Sequence, residues 1–352
     1  MDAPPGLDLQ RLRDHLERRR PGLLSGPLTA EIIAGGRSNL TYVVRDTGAD
    51  GDPREWVLRR PPLGHVLATA HDMAREYRVM TALGPTAVPV PRTVLLCEDP
   101  EVLGAPFYLM ERVAGTVFRN RAQLEAAGPE RTRAIGNRLV DTLVDLHAVD
   151  ITSAGLGDFG RPEGYLERQL RRWSRQLESS RNRDLPGIEE LHSELAAGMP
   201  AGAEGVVLHG DYRLDNVIVG AGDEVAAVLD WEMSTLGDPM ADVALLAAYR
   251  DRRSLSAADP VGDATQAPGF PTVQDMVARY AERSGRDVSG LAWYVAFSYF
   301  KLAVILEGIH YRFIHGQTVG AGFDRVGEMV PGLVTAGLNW VHSEWGKERE
   351  GR

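Results

Sequence analysis

Five polar or charged residues lie close together in the segment "VVLHGDYRLDNVIV", residues 206–219, and they are His209, Asp211, Arg213, Asp215 and Asn216. The apolar runs on both sides have the composition of short strands. A loop of this kind is costly to bury without partners, and loops between core elements often carry function. Its carboxylates could accept a proton, its amide oxygen could bind a metal ion, and its arginine could contact a phosphate.

The spacing of three of these residues narrows the chemistry. His209, Asp211 and Asn216 keep the spacing H-x-D-x-x-x-x-N of the protein-kinase catalytic loop, where Asp accepts a hydroxyl proton and Asn binds metal. Fourteen residues later, Asp230 ends the apolar segment "VAAVLD", where a second metal-binding carboxylate is needed. We predict that Asp211 is the catalytic base and that Asn216 and Asp230 bind Mg²⁺. The alternative for Asp211 is that it only braces the loop.

The neighbouring polar residues allow two interpretations each. His209 is expected to order the loop through hydrogen bonds rather than to transfer a proton. Arg213, two residues after Asp211, either contacts the transferred phosphate or forms a structural salt bridge. Glu232 either contacts a metal ion or pairs with an arginine. Asp238 and Asp242 are expected to cap helices and to tie the loop together.

The elements that must position these residues change in type along the chain. Three predicted strands, in "LTAEIIAGG", "LTYVVRD" and "EWVLRRP", are followed by a helix over residues 69–83 and two more strands, in "TVLLCED" and "APFYLMERV". After residue 115 the apolar periodicity becomes helical. We therefore predict a first domain over residues 1–112 and a second over residues 113–352.

The segments "VLHGDYRLDNVIV" and "VLDWEMSTLGDPMADVALL" resemble the aminoglycoside phosphotransferase-like kinases. The chain is most similar to the kinase-like domains fused to acyl-CoA dehydrogenases in animals and to their free-standing bacterial counterparts. The resemblance extends over residues 33–311. It implies an α+β, bilobal protein-kinase-like fold with a small antiparallel-sheet N-lobe and a larger, mostly helical C-lobe. It also implies ATP and Mg²⁺ as cofactors.

The resemblance also implies residues that hold the nucleotide phosphates. In "AGGRSN", Gly35, Gly36, Ser38 and Asn39 would form a turn whose backbone N–H groups meet phosphate oxygens, although an ordinary hairpin turn has the same composition. The third-strand lysine of the family is replaced by Arg59, which keeps the positive charge.

The expected partner of Arg59 is Glu76 on the following helix, and the alternative is a surface ion pair. Strand alternation places Val57 on the same face as Arg59, where it could cover the adenine. Met110 is expected at the gatekeeper position of the hinge strand. The backbone of Glu111 and Val113 is expected to bond the adenine edge.

Composition excludes several other functions. A net charge of −10 over 352 residues disfavours a nucleic-acid partner. The apolar stretch 291–309 contains Lys301 and Glu307, so we predict a buried core helix rather than a membrane partner. The charged N-terminal segment shows no export signal, and one cysteine, Cys97, allows no intrachain disulfide, so a cytoplasmic location is expected. Only two of the 39 basic residues are lysines.

These observations predict an ATP-dependent phosphotransferase that moves the γ-phosphate to a hydroxyl group of a small molecule. The acceptor stays open among a hydroxyacyl-CoA, a hydroxy acid and an aminoglycoside-like compound. The alternative is a catalytically weak pseudokinase that acts as a nucleotide-binding or interaction module, which the replacement of lysine by Arg59 would suggest. A protein kinase is disfavoured because no segment after Asp230 resembles an activation segment that ends in Ala-Pro-Glu.

Overall fold

The protein is described by a computed structural model over residues 4–33, 39–48, 54–63, 71–251, 263–317 and 323–343. The chain divides into two compact units. The first contains Met1–Gly115 and Ala226–Ser234, and the second contains Thr116–Val225 and Thr235–Arg352. The sequence predicted a single boundary after residue 112. The short stretch that carries Asp230 therefore joins the first unit from far along the chain.

An antiparallel sheet forms the centre of the first unit. Its strands are β1 (Leu28–Ile32), β2 (Leu40–Asp46), β3 (Arg54–Arg60), β4 (Thr93–Cys97) and β5 (Phe107–Glu111). Their spatial order is β1-β2-β3-β5-β4. Tyr42, Leu58, Phe107 and Leu109 lie buried in the apolar core on one face. Because side chains alternate along a strand, the opposite face carries Val57, Arg59, Tyr108 and Met110, among which Val57 pairs with Met110 and Arg59 with Tyr108.

Three helices complete the described part of the first unit, namely α1 (Leu9–Arg19), α2 (Met73–Leu83) and α3 (Pro100–Leu103). The α2 helix begins at Met73 because the Asp72 carboxylate accepts a hydrogen bond from the Arg75 backbone N–H. Its buried stripe includes Met73, Glu76 and Met80. This stripe places one carboxylate among apolar side chains at the sheet.

The second unit is mostly helical, as the sequence predicted. Its helices are α4 (Arg121–Ala127), α5 (Pro129–His147), α6 (Tyr165–Ser180), α7 (Ile188–Ala197), α8 (Met240–Asp251), α9 (Val273–Ser284), α10 (Leu291–Ile314) and α11 (Val330–Val341). The α10 helix is central, because it packs against α6, α7, α8 and α11.

The α10 helix is the one helix in the described ranges that is long and apolar enough to cross a membrane. However, 78% of its most apolar window is buried inside the protein. Its Glu307 is buried and pairs with Arg183 across 2.6 Å. A helix packed in this way is the core helix that the sequence predicted.

Short strands flank the polar loop. In the second unit, β6 (Val206–Leu208) pairs antiparallel with β9 (Thr235–Gly237), and β7 (Val217–Val219) follows the loop. The strand β8 (Val225–Val228) leads to Asp230. The loop is therefore held at both ends by paired or bridged backbone, since Val219 also bridges to Thr116.

Candidate active site

The polar loop begins directly after β6 and turns sharply at Gly210. Gly210 has φ +83°, a left-handed conformation that a glycine adopts without strain. The backbone N–H groups of His209 and Gly210 donate to the two oxygens of the Asp242 carboxylate, at 2.7 and 2.9 Å. The Asp211 N–H donates to His209 Nδ1 at 3.2 Å. His209 is fully buried, and its ring accepts this hydrogen bond within the loop. Its predicted role in ordering the loop rather than in proton transfer stays a prediction.

The side chain of Asp211 is surrounded by donors. Tyr249 donates its hydroxyl to Oδ1 at 2.8 Å, and the Asn216 amide donates to Oδ2 at 3.0 Å and to the Asp211 backbone carbonyl at 2.9 Å. Arg213 Nε lies 3.2 Å from Oδ2. The side chain is still 28% exposed, so a substrate hydroxyl could reach it. The arrangement holds a solvent-accessible carboxylate in one orientation, which is what a general base requires.

Asp242 at the start of α8 anchors the loop from behind. Its carboxylate also lies 3.5 Å from His147 Nε2, and His147 Nδ1 contacts the Tyr280 hydroxyl at 2.8 Å. Burial alone would raise the pKa of Asp242, but the hydrogen bond from His147, the charges of both histidines and the His209 backbone N–H hold the pKa below its ordinary value. Asp242 is thus an ionised anchor for the loop.

Arg213 forms the structural ion pairs that were one of its two predicted roles. Besides Asp211, it pairs with Asp215 across 3.3 Å. Its guanidinium lies 5.4 Å from the centre of the Tyr249 ring. Burial raises the pKa of Asp215, and the Arg213 charge acts against that rise. A contact between Arg213 and the transferred phosphate stays a prediction.

In the first unit, Arg59 is the centre of a cluster of carboxylates. Its Nε lies 3.2 Å from Glu76 Oε2, its Nη2 contacts Asp230 Oδ1, and the same Nη2 lies 3.7 Å from Glu232. Glu76 is 1% exposed, so the predicted partnership with Arg59 is confirmed and the surface ion pair is wrong. Glu232 forms an ion pair with Arg59, which was one of its two predicted roles, and a contact between Glu232 and a metal ion stays a prediction.

Burial dominates the electrostatics of this carboxylate cluster. It raises the pKa of Glu76 to about 7, although the Arg59 charge and the hydrogen bond from the Tyr108 hydroxyl, at 2.9 Å, act in the opposite direction. The charges of Asp230 and Glu232 raise the pKa further. One cation thus faces three carboxylates, and the cluster would favour additional positive charge.

Asp230 adopts a left-handed backbone conformation, with φ 65° and ψ 60°. This conformation is unfavourable for a residue other than glycine and persists only where the surroundings impose it. Strain of this kind is frequent at functional sites. The side chain remains 28% exposed, which suits a role towards a ligand.

The structure describes some, but not all, of the other residues of the first unit that were predicted to bind the nucleotide. Val57 and Met110 are paired neighbours in the sheet and are both buried. The Glu111 N–H already donates to the Arg92 carbonyl at 2.9 Å, so its own carbonyl is the group that could meet an adenine edge. Val113 is half-buried just after β5. Of the predicted phosphate turn, Gly35, Gly36 and Ser38 lie outside the described residues.

Asn39, the fourth residue of that predicted turn, is buried and belongs to the carboxylate cluster. Its amide nitrogen donates to Glu76 at 3.3 Å and to Glu232 at 3.2 Å. Its amide oxygen lies 2.8 Å from His71 Nδ1. The side chain of Asn39 therefore bridges two carboxylates. Whether its backbone meets a phosphate stays a prediction.

Mg²⁺ suits the ligands that the sequence predicted for it. In the described ranges, no three His, Cys, Asp or Glu side chains are grouped to hold a metal ion by themselves. Mg²⁺ does not need such a group, since it keeps several waters and binds one or two protein ligands together with phosphates. The Asn216 amide nitrogen is committed to Asp211, which directs its oxygen elsewhere. Asp230 uses Oδ1 for Arg59 and has Oδ2 as a second oxygen. Both are hard oxygen ligands of the kind that Mg²⁺ prefers.

Sequence reasoning missed two residues beside Asp211. Tyr249 lies 38 residues away in the chain, and Lys301 lies 91 residues after Gly210, whose carbonyl accepts a hydrogen bond from Nζ at 3.0 Å. A signal for Lys301 was present, because lysine is so rare in this chain. We interpreted Lys301 only as an interruption of an apolar helix.

The fold and the loop together define a kinase-like phosphotransferase. The chain belongs to the phosphotransferase enzyme family (APH), whose family profile matches residues 29–276. The family and the kinase-like fold predicted from the sequence are both confirmed.

Two curated relatives carry acyl-CoA dehydrogenase names. The chain is 36% identical over 347 residues to acyl-CoA dehydrogenase family member 10 of Mus musculus, covering 93% of this chain and 31% of that protein. It is 32% identical over 339 residues to family member 11 of Rattus norvegicus, covering 94% of this chain and 43% of that protein. The chain therefore spans less than half the length of these relatives.

Solved structures share the fold. A candidate aminoglycoside phosphotransferase from Ralstonia eutropha superposes with a TM-score of 0.81 at 32% identity, covering 95% of this chain and 98% of that one. A thermostable mutant of aminoglycoside phosphotransferase APH(4)-Ia, in ternary complex with AMP-PNP and hygromycin B, superposes with a TM-score of 0.61 at 15% identity. That match covers 94% of this chain and 98% of the other, and it shows the fold alone.

Proposed function

We propose that this protein transfers the γ-phosphate of ATP to a hydroxyl group of a small molecule. The observation that carries this proposal is the environment of Asp211, a partly exposed carboxylate oriented by Tyr249, Arg213 and Asn216 after a core strand. Membership of the phosphotransferase family supports it. The spacing of Asp211 and Asn216 gives one residue for the hydroxyl proton and one for the metal.

In the proposed reaction, Asp211 accepts the proton of the acceptor hydroxyl while the hydroxyl oxygen forms a bond to the γ-phosphorus. The bond between that phosphorus and the β,γ-bridging oxygen breaks, and ADP leaves. Oδ1 suits the proton better than Oδ2, because Oδ1 accepts from the neutral Tyr249 hydroxyl, whereas Oδ2 accepts from Asn216 and also lies beside the Arg213 guanidinium. Mg·ATP, when bound, supplies the phosphoryl group and neutralises part of its charge.

The residues of the first unit would orient the nucleotide. Arg59 carries a guanidinium whose fork suits both a carboxylate and a phosphate. Its pairing with Glu76 fixes the guanidinium position, and Asp230 would bind the Mg²⁺ of Mg·ATP. Val57 and Met110 would contact the adenine, with the backbone of the segment after Met110 as the hydrogen-bonding edge.

The acceptor proposed from the relatives is a hydroxylated acyl compound, such as a hydroxy acid or a hydroxyacyl-CoA. The names of two curated relatives, which are acyl-CoA dehydrogenase family members, support this class. An aminoglycoside-like acceptor is supported by the solved structure at 32% identity, a candidate aminoglycoside phosphotransferase. We further propose that the enzyme is soluble, is located in the cytoplasm and has no nucleic-acid or membrane partner. These properties are compatible with either acceptor.

A second candidate, a pseudokinase, is favoured by one observation. Arg59 engages the Asp230 carboxylate directly, so this oxygen is shared between a guanidinium and any metal ion. A pseudokinase would bind nucleotide through the first unit and transfer no phosphate. Asp211 and the side chains that orient it would then have no chemical task, which makes this the weaker candidate.

The test is transfer of labelled γ-phosphate from ATP into an extract of polar and acyl-CoA metabolites. Wild type and Asp211→Asn are compared, since asparagine keeps the shape and loses the base. We expect a labelled product with wild type and a rate lower by about 10³-fold in the variant, with unchanged Mg·ATP affinity. Equal transfer by both proteins would remove Asp211 as the base. Mg·ATP binding without any labelled product would favour the pseudokinase.

A further inference from the structure

Two cationic side chains and a tryptophan lie beside the loop that carries Asp211. The α6 and α10 helices pack together and bring them there. Lys301 on α10 donates to the Gly210 carbonyl at 3.0 Å, one residue before Asp211. Its Nζ lies 5.7 Å from the ring centre of Trp173 on α6, and Arg172 Cζ lies 5.3 Å from the same ring. Both cations therefore lie on one aromatic side chain next to the catalytic loop.

These three side chains have unused hydrogen-bond donors. Trp173 is 7% exposed, and its buried indole Nε1 has no hydrogen-bond partner among the described residues. An ammonium group has three donors, and the Gly210 carbonyl uses one of those of Lys301. Arg172 is exposed and forms no ion pair with a described carboxylate. A buried donor without an acceptor is rare in native structures, so the Trp173 N–H calls for an acceptor that the described residues do not supply.

The charge of Lys301 is itself costly at this position. Burial lowers the pKa of Lys301, while the carboxylates of Asp211 and Asp242 act against that change and Arg172 lowers the pKa further. Two cations near each other and near one aromatic ring are a poor arrangement for structure alone. A bound anion would favour both of them.

We propose that the phosphate acceptor carries a negative charge, which Lys301, Arg172 and the Trp173 indole N–H bind while its hydroxyl group faces Asp211. This assignment rests on the proposed function and narrows the acceptor to an anionic hydroxy compound. The anion is a carboxylate of a free hydroxy acid or a phosphate group of a CoA thioester, since both accept the same hydrogen bonds. A polycationic acceptor would be repelled at this position.

A carboxylate-lined cavity of about 430 Å³ elsewhere in the second unit does not contradict this assignment. Its lining includes Glu163, Glu167, Glu204, Gly205 and Asp238. Gly205 precedes the Val206 end of β6, whereas Asp211 follows the opposite end of that strand. The length of β6, about 10 Å, separates this cavity from the base. A group bound in that cavity therefore does not contact Asp211 directly.

The experiment compares acceptors of different charge, among which each hydroxy acid and its diol differ only in the charged group. Straight-chain hydroxy acids, diols with CH₂OH in place of the carboxylate, CoA thioesters of the same acids and hygromycin B are offered with Mg·ATP. We expect kcat/KM for an anionic acceptor to exceed that for its neutral diol by about 100-fold. Whichever of the free acid and the CoA thioester has the higher kcat/KM identifies the anion that is bound. Equal use of diol and acid, or best use of hygromycin B, would overturn the assignment.

Variants then assign the effect to the named side chains. Arg172→Gln and Lys301→Met should each raise KM for the anionic acceptor by about tenfold, with KM for ATP unchanged. Lys301→Arg, which keeps the charge, should recover part of the loss. Arg171→Gln, a change at an exposed arginine on the same helix, is the matched control and should behave like wild type. Identical KM values in Arg171→Gln and Arg172→Gln would remove Arg172 from the site.

Binding measurements separate a failure of this assignment from a failure of the proposed function. The same acids, CoA thioesters and diols are titrated calorimetrically into the protein with AMP-PNP. One outcome is that the acids bind more tightly than the diols, that Arg172→Gln weakens this binding, and that no compound is phosphorylated. This outcome would refute the proposed kinase activity and retain the anion site. Transfer without a preference for the anion would retain the kinase and refute the anion site. Neither transfer nor charge-dependent binding would refute both.

Discussion

Replacing Arg59 by glutamine removes the only cation in contact with three carboxylates in the described part of the first unit. Glu76 is 1% exposed, so an ionised Glu76 would have no buried counter-charge in this variant. Removal of one partner from a buried ion pair costs about 3–5 kcal/mol. For a chain of this size each kcal/mol lowers the melting temperature by roughly 2 °C. We therefore expect Arg59→Gln to melt roughly 6–10 °C below wild type at pH 8.

The pH dependence of this loss tests its cause. Because burial raises the pKa of Glu76 to about 7, a growing fraction of this group is neutral as the pH falls below neutrality, and a neutral carboxyl needs no counter-charge. The destabilisation by Arg59→Gln should thus be smaller at pH 6 than at pH 8. The second change Glu76→Gln should recover much of the lost stability, since it removes the unpaired charge.

The assay is thermal unfolding followed by circular dichroism, with calorimetric titration of Mg·ATP at a temperature where all variants are folded. Arg92→Gln is the matched control, because Arg92 and Glu111 form an arginine–glutamate pair in the same unit that is largely exposed. This control should melt like wild type. The reasoning is refuted if Arg59→Gln melts within a degree of Arg92→Gln, or if Glu76→Gln recovers nothing in the double variant.

Three further outcomes are expected. Tyr249→Phe removes the donor to Asp211 Oδ1 and should lower kcat about tenfold with KM for ATP unchanged; steady-state kinetics with an unchanged kcat would show that Tyr249 only packs. Asp242→Asn places an amide against the His209 and Gly210 N–H groups and should lower kcat by about 100-fold, while calorimetry shows Mg·ATP affinity within about threefold of wild type. Glu76 has a folded pKa of about 7 against an ordinary value of 4.5, so its contribution to stability is fully present below pH 4.5 and is lost as the pH rises to 7. We therefore expect the free energy of unfolding, measured by urea titration, to fall between pH 4.5 and 7 by about 3 kcal/mol less in Glu76→Gln than in wild type. An equal fall in both proteins would contradict the raised pKa of Glu76.

Local spacing was enough to predict which residues of the polar loop come together. His209, Asp211 and Asn216 lie within one loop, so their order along the chain nearly determines which of them can meet. The same holds for β3, where alternation alone placed Val57 and Arg59 on one face. The helical stripe of α2 likewise placed Glu76 beside Met73 and Met80. These predictions depend on chain geometry over a few residues, and such geometry is a property of the sequence.

The partners of these residues depended on the tertiary structure. Asp230 meets Arg59 across 171 residues, and Lys301 meets Gly210 across 91. Contacts at such separations leave no periodic pattern in the sequence, since they arise only when distant elements pack. The sequence therefore determined which side chains could do the chemistry of phosphate transfer. Tertiary packing decided what orients Asp211, which charges surround Arg59 and which cations lie beside the loop.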